Sequence, residues 1–215
     1  MKILVYIISI FRSLYVSVRL FGVEGFKLPI LISCNTKIEG LQKGKISFNC
    51  EIRPFMIKYG FGGSNGIVGK KTMLILGDDS KIIFNGKAAF GKGTVITNSG
   101  TINFGANFSC NKNTFISAYE QITFGDDVLI GWDCAIRDSD GHYIVKDDSK
   151  KKLSKPIRIG NHVWVCSYSH ILKGVEIGND SVVGYKSLVT RIHGCNEMIA
   201  GHPAKTIETG VNWEK

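Results

Sequence analysis

The chain has 215 residues, 44% of them hydrophobic, with Gly 25 against Pro 4, which suits one domain with a full core and excludes a disordered chain. Its formal charge of +9 is uneven: residues 1–77 hold 11 Lys+Arg against 3 Asp+Glu (+8), and residues 78–215 hold 16 against 15 (+1). No nucleic-acid-binding motif accompanies that excess, so anionic lipid or an anionic polymer suits it better than nucleic acid.

Residues 1–35 read as an N-terminal helical and connector segment. Apolar residues at 4, 7, 8, 11, 14, 15 and 18, with Arg12 and Arg19 interspersed, have helical spacing. The apolar run at residues 3–11 is too short and too charged for a membrane span, which needs about 20 apolar residues. No alanine precedes Ala88, so no Ala-x-Ala cleavage site marks a secretory signal. Residues 36–75 read as irregular opening coils, with Ile32 and Ile38, then Ile46 and Ile52, six apart. The glycine-rich stretch Tyr59-Gly-Phe-Gly-Gly-Ser-Asn-Gly66 reads as a turn between coils. No Gly-Lys-Ser/Thr follows, so it is not a phosphate loop.

From residue 76 to 198 the pattern is regular. Phe84, Phe90, Ile96 and Ile102 are six apart, as are Phe104, Cys110, Ile116 and Ile122, and then Phe124, Ile130 and Ile136. After a break, Ile159, Val165, Ile171, Ile177, Val183 and Val189 resume the same step. A period of six fits neither the 3.6 of a helix nor the 2 of an ordinary strand. It fits an all-β fold, a parallel β-helix of triangular coils, with a repeat of 20 residues before the break and 18 after it. Small or β-branched residues fall four after each inward residue (Val128, Cys134, Val163, Ser169, Val175, Ser181, Ser187), as a narrow coil requires. The six cysteines show no Cys-x-x-Cys pair and no metal-ligand spacing. Cys110 and Cys134 fall at inward positions, so buried free thiols and a reducing cytosol are expected. Residues 143–155 read as a polar excursion loop and 199–215 as a C-terminal tail.

The break itself is Ile136-Arg-Asp-Ser-Asp-Gly-His142, which presents two carboxylates and an imidazole where the coil is interrupted. An imidazole so presented can act as a general base, and one positioned to take a proton from a weakly acidic group contributes roughly 10²–10⁴-fold. His162, His170, His193 and His202 fall at corner, outward or turn positions, and their spacing suggests no zinc triad, so no metal is expected.

The strings Ile159-Gly-Asn-His-Val-Trp-Val165, Ile171-Leu-Lys-Gly-Val-Glu-Ile-Gly178, Ser187-Leu-Val-Thr190 and Gly201-His-Pro-Ala-Lys205, in this order, resemble the hexapeptide-repeat acetyltransferases. The sequence is similar in particular to the sugar O-acetyltransferases of capsule and lipopolysaccharide clusters and to the galactoside and maltose acetyltransferases, over about residues 76–207. The resemblance implies a left-handed β-helix and a cytoplasmic homotrimer with sites between subunits. It also implies acetyl transfer from acetyl-CoA to a sugar hydroxyl of a surface polysaccharide or its precursor. His142 matches the family's general base, and Asp138 or Asp140 would orient the ring or bind sugar hydroxyls. Trp164 and the backbone around Ser167 match the wall along the pantetheine arm, where an amide suits an oxyanion. Tyr185 matches a position whose backbone faces the cofactor, and Thr190, Arg191 and Lys205 match the adenosine end, where cations suit phosphates. Trp132 would stack on a sugar or pack at the trimer interface. Cys166 and Tyr185-Lys186 depart from the family by replacing small residues near the expected cofactor groove. An amino-sugar N-acetyltransferase and a non-catalytic β-helix assembly subunit stay open as alternatives. The N-terminal segment would lie on an anionic membrane or cap the trimer.

Overall fold

A period of six places a flat strand and a tight corner on each side of a triangle, and stacked coils then pair strand on strand. The computed structural model, which describes residues 2–214, shows this arrangement as three parallel sheets. The first face begins with Ile30–Ile32, the second with Lys37–Glu39 and the third with Ile46–Phe48. Coil follows coil in strict register. Phe84 sits beside Phe104 and Phe104 beside Phe124, while Ile136 lies between Ile116 and Ile171. These inward side chains are buried along the whole stack, and Phe84, Phe104 and Phe124 stack with centroids 5.2 Å apart. The smaller second set is buried as well. Its serines tie corners together: Ser169 Oγ donates to the Gly184 carbonyl and accepts from Ser187 N–H.

Corners need a left-handed residue, and it recurs in columns. Asn107, Asp127, His162 and Asp180 hold φ of 52–59° at the corner entering the first face. Asn113, Asp133, Tyr168 and Lys186 hold φ of 52–63° at the corner leaving it. Asn and Asp tolerate this conformation best and fill five of these eight corners, while His162, Tyr168 and Lys186 depart from them.

The ends differ from the sequence-based expectation. Ile30–Ile32 already pairs with Ile57–Tyr59, so the coil stack begins inside residues 1–35, and residues 36–75 join it in register but with longer steps between coils, Ile38 beside Leu74 and Ile46 beside Ile82. Residues 60–72 are more than a turn: they run across neighbouring coils, held by Asn111, Lys112 and Asn113. The C-terminal residues do not form a detached tail. Glu197–Gly201 and Ala204–Thr209 pair as an antiparallel hairpin that ends the first face.

At the N-terminal end, Ile30–Ile32 is an edge strand, whose unpaired amides and carbonyls need partners. Helix α1 (Lys2–Phe21) supplies them from its side chains. Ser13 Oγ accepts from Ile32 N–H at 2.8 Å and Ser9 Oγ accepts from Cys34 N–H at 3.0 Å, while each donates to the carbonyl one turn back. The Arg12 guanidinium donates to the Cys34 and Thr36 carbonyls. Val16 and Leu20 close the core at this end, and the absence of a side chain at Gly25 lets the following turn touch the helix backbone at Ser17. The helical spacing read from the sequence is one helix, Lys2–Phe21, with Arg12 turned to the edge strand. By length and composition alone, Leu4–Lys27 is long and apolar enough to cross a membrane.

Ser13→Ala should leave the Ile32 amide buried and unpaired, costing about 1–3 kcal/mol. Denaturant unfolding checks this. An unchanged midpoint would mean that the edge strand does not depend on the helix.

Candidate active site

The site is built from two corners. At the corner leaving the second face, the Ile136–Ile171 register sets Asp138 level with Lys173. The chain departs from the coil here. Asp138 is fully buried, and its carboxylate accepts from the N–H groups of Tyr119, Glu120 and Gln121 at 2.7–2.8 Å. The expectation that it orients the imidazole or binds sugar hydroxyls is corrected: its oxygens are inaccessible and hold the preceding coil's corner.

Beyond Asp138 the excursion closes into a neck. Ser139 bridges Ser154, Asp140 N–H donates to the Leu153 carbonyl, and Lys155 N–H donates to the Asp138 carbonyl. Lys173 Nζ lies across it, 2.5 Å from Asp140 Oδ2 and donating to the Lys152 and Leu153 carbonyls. Arg137 Nε donates to the Ser139 carbonyl from the other side. Gly141, with φ +79°, then turns the chain outward and leaves His142 exposed, followed by the exposed loop. Asp140 is thus paired with Lys173, not with the imidazole. Thr190 and Arg191 are exposed at this same corner one coil further on, because Leu188 pairs with His170 and Val189 with Ile171.

At the corner leaving the first face, Trp132, Ser167 and Tyr185 form a second column. Trp132 N–H donates to Ser167 Oγ, Tyr168 N–H to the Trp132 carbonyl, and Lys186 N–H to the Ser167 carbonyl. Ser167 is buried, so what it offers outward is backbone. Tyr168 and Tyr185 meet edge to face at 5.5 Å, with Lys186 Nζ within 6 Å of both rings. Tyr168 and Lys186 hold the left-handed conformation that this corner takes in successive coils, where bulky side chains are rare. Lys70, from residues 60–72, reaches Asp133 beside Trp132. Trp164 lies on the first face, partly exposed and 5.9 Å from the Trp213 ring, while Trp213 stacks on His162 and donates to its carbonyl. Lys205 is exposed in the closing hairpin.

One chain therefore unites Trp132, Ser167 and Tyr185 along one edge, and Asp140, His142, Thr190 and Arg191 along another. It does not bring the two edges together, because the whole second face lies between them. Lys173, Tyr168 and Lys70 were not legible as site residues in the sequence; the coil register signals the first two, by setting each at a corner level with a candidate residue, while Lys70 arrives from the 60–72 excursion.

Burial pushes the Cys110 thiol up to about 11 and the Cys134 thiol up to about 12, and raises Cys166 as well, so none is poised as a nucleophile. His162 Nδ1 pairs with Asp180 at 3.0 Å, and His193 lies against Glu197 and Thr206. Among the described residues, no group of three or more His, Cys, Asp or Glu is placed to hold a metal ion.

Comparison with known proteins finds the bacterial transferase hexapeptide (six repeats) pattern over residues 156–191. The chain is 38% identical over 108 residues to the galactoside O-acetyltransferase of Escherichia coli K12, covering 49% of this chain and 53% of that protein. It is 33% identical over 142 residues to WbbJ of the same organism, named for O-acetyl transfer in lipopolysaccharide biosynthesis, covering 59% of this chain and 68% of that protein. The match thus spans about half the length of the galactoside enzyme, and less of several other curated relatives. Among solved structures, polysialic acid O-acetyltransferase OatWY shares the fold with a TM-score of 0.55 at 23% identity, over 86% of this chain and 87% of that one.

Two substitutions separate the roles of the neck residues. Asp138→Ala strips the carboxylate from three buried amides and should cost about 3 kcal/mol of global stability. Lys173→Met should leave the melting temperature nearly unchanged while amide exchange in the neck, at Asp140 and Lys155, accelerates by about tenfold or more. Equal effects of the two on global stability would contradict this division.

Proposed function

The chain belongs to the bacterial hexapeptide-repeat transferase family, with the left-handed parallel β-helix of that fold, and from that premise we propose that it is an acetyl-CoA-dependent sugar O-acetyltransferase. The observation that carries this reading is the pair of unjoined edges, one bearing the exposed imidazole and the other an aromatic and backbone-lined column. A homotrimer with its axis parallel to the direction in which the coils stack would set an edge column of one subunit against the next and complete the site there.

The residues present suit the donor. Trp164 and the Trp132–Ser167–Tyr185 column offer an apolar wall with backbone edges for a pantetheine arm. The exposed cations Arg191 and Lys205 suit phosphates. When bound, acetyl-CoA supplies an acetyl group already activated as a thioester. His142 removes the proton from the acceptor hydroxyl as the new ester bond forms, and returns a proton to the departing thiolate. Lys173 and Asp140 fix the neck from which His142 projects, so they position the base and do not exchange protons. Trp132, at the mouth of the column, suits a sugar face. The acceptor that fits is a surface polysaccharide or its precursor, modified in the cytoplasm where acetyl-CoA is available. Relatives named for galactosides and for lipopolysaccharide biosynthesis support a carbohydrate acceptor.

His142→Ala should reduce transfer from labelled acetyl-CoA to a glycan panel by about 10²-fold or more, with oligomer mass and CoA binding retained. His142→Gln should behave in the same way. A wild-type rate in either variant would remove the general-base role. Label that resists neutral hydroxylamine would identify an amide product and an amino-sugar acceptor. No transfer and no CoA binding by the unaltered chain would favour an assembly subunit.

A further inference from the structure

The first part of helix α1 is amphipathic in the reverse sense from a soluble helix, while Val16 and Leu20 further on face the core. Ser9, Ser13 and Ser17, one turn apart, are fully buried against the coil end. The opposite side presents Leu4, Ile7, Ile8, Phe11 and Tyr15 at helical spacing, all exposed, with Phe11 71% accessible. Val23 and Phe26 continue the apolar surface past the helix. A soluble helix turns such a stripe to the core. Here it cannot, because the edge strand Ile30–Ile32 requires the serines and Arg12, and hydrogen bonding fixes which side faces in.

We infer that this outer face is a docking surface for an anionic phospholipid bilayer, with α1 lying in the plane of the headgroups. Charge decides the occupant. The helix contains no acidic residue, and the first acid of the chain, Glu24, is paired with Lys27. Arg19 is exposed beside the apolar stripe, and residues 1–77 carry a balance of +8. A second copy of the same face would bring cations against cations, whereas anionic headgroups supply the missing countercharge and the acyl region accepts the apolar side chains. The geometry selects the in-plane mode over a crossing one. Lifting α1 to span a bilayer would strip Ser9, Arg12 and Ser13 from the edge strand and leave its backbone groups unpaired. The face also lies at the coil end, clear of both corners of the candidate site, so it is free whether or not that site is catalytic.

The test uses the full chain and sedimented vesicles of phosphatidylcholine, with or without about one-third phosphatidylglycerol. Binding should require phosphatidylglycerol and fall as salt rises. Ile7→Glu and Phe11→Glu, each at an exposed position, should weaken it by about tenfold or more while melting temperature and oligomer mass stay unchanged. Failure to sediment with the anionic vesicles would overturn the inference, as would unaltered binding by both variants. A fall in oligomer mass in either variant would assign the face to a contact between copies. Retention through an alkaline carbonate wash would indicate a crossing helix and overturn the in-plane geometry.

Discussion

Register between coils governs this molecule. Each inward residue must lie beside its counterpart one coil away, as Ile116, Ile136 and Ile171 do, or the narrow interior cannot close. Because strands align, corners align, and whatever a corner carries becomes part of a column. The left-handed corner residues, the Trp132–Ser167–Tyr185 ladder and the level pairing of Asp138 with Lys173 all follow from that one constraint. The same constraint leaves a raw edge at the first coil, and the inward serines of α1 answer it.

The consequence for chemistry is a division of labour between edges. A triangular prism holds its outward groups apart, so the column of Trp132, Ser167 and Tyr185 and the imidazole of His142 are not neighbours within one chain. The proposed donor-binding groups occupy a column built from coil backbone. His142 instead projects from a neck that leaves the coil, secured by Asp138 from below and by Lys173 from the side.

What was legible in the sequence was whatever repeats. Phe84, Phe104 and Phe124 declare the inward direction by spacing alone, as do the small residues from Val128 to Ser187. Residues 60–72 were not legible, because their partners Asn111, Lys112 and Asn113 lie more than 40 residues away and share no local pattern with them. Asp138 and Asp140 read alike in Asp-Ser-Asp-Gly-His. Only the register reveals that the first still belongs to a coil corner and turns inward, while the second has left it. The serines of α1 read as neutral helix residues until the edge they meet is known. The polarity of that helix is set by the backbone groups of another element, and no moment calculated along its own sequence contains that information.

The central claim is that two edges from different subunits make one site, and subunit mixing tests it most directly. One chain carries His142→Ala, and the other carries Trp164→Ala with Tyr185→Ala; each homo-oligomer should be impaired. In trimers assembled from equal amounts of the two, sites pairing an intact imidazole edge with an intact donor column arise by chance. Such trimers should recover about a quarter of the unaltered activity, the random fraction of interfaces with both edges intact. Mixed trimers no more active than the average of the two parents would place the whole site within one chain and contradict the account.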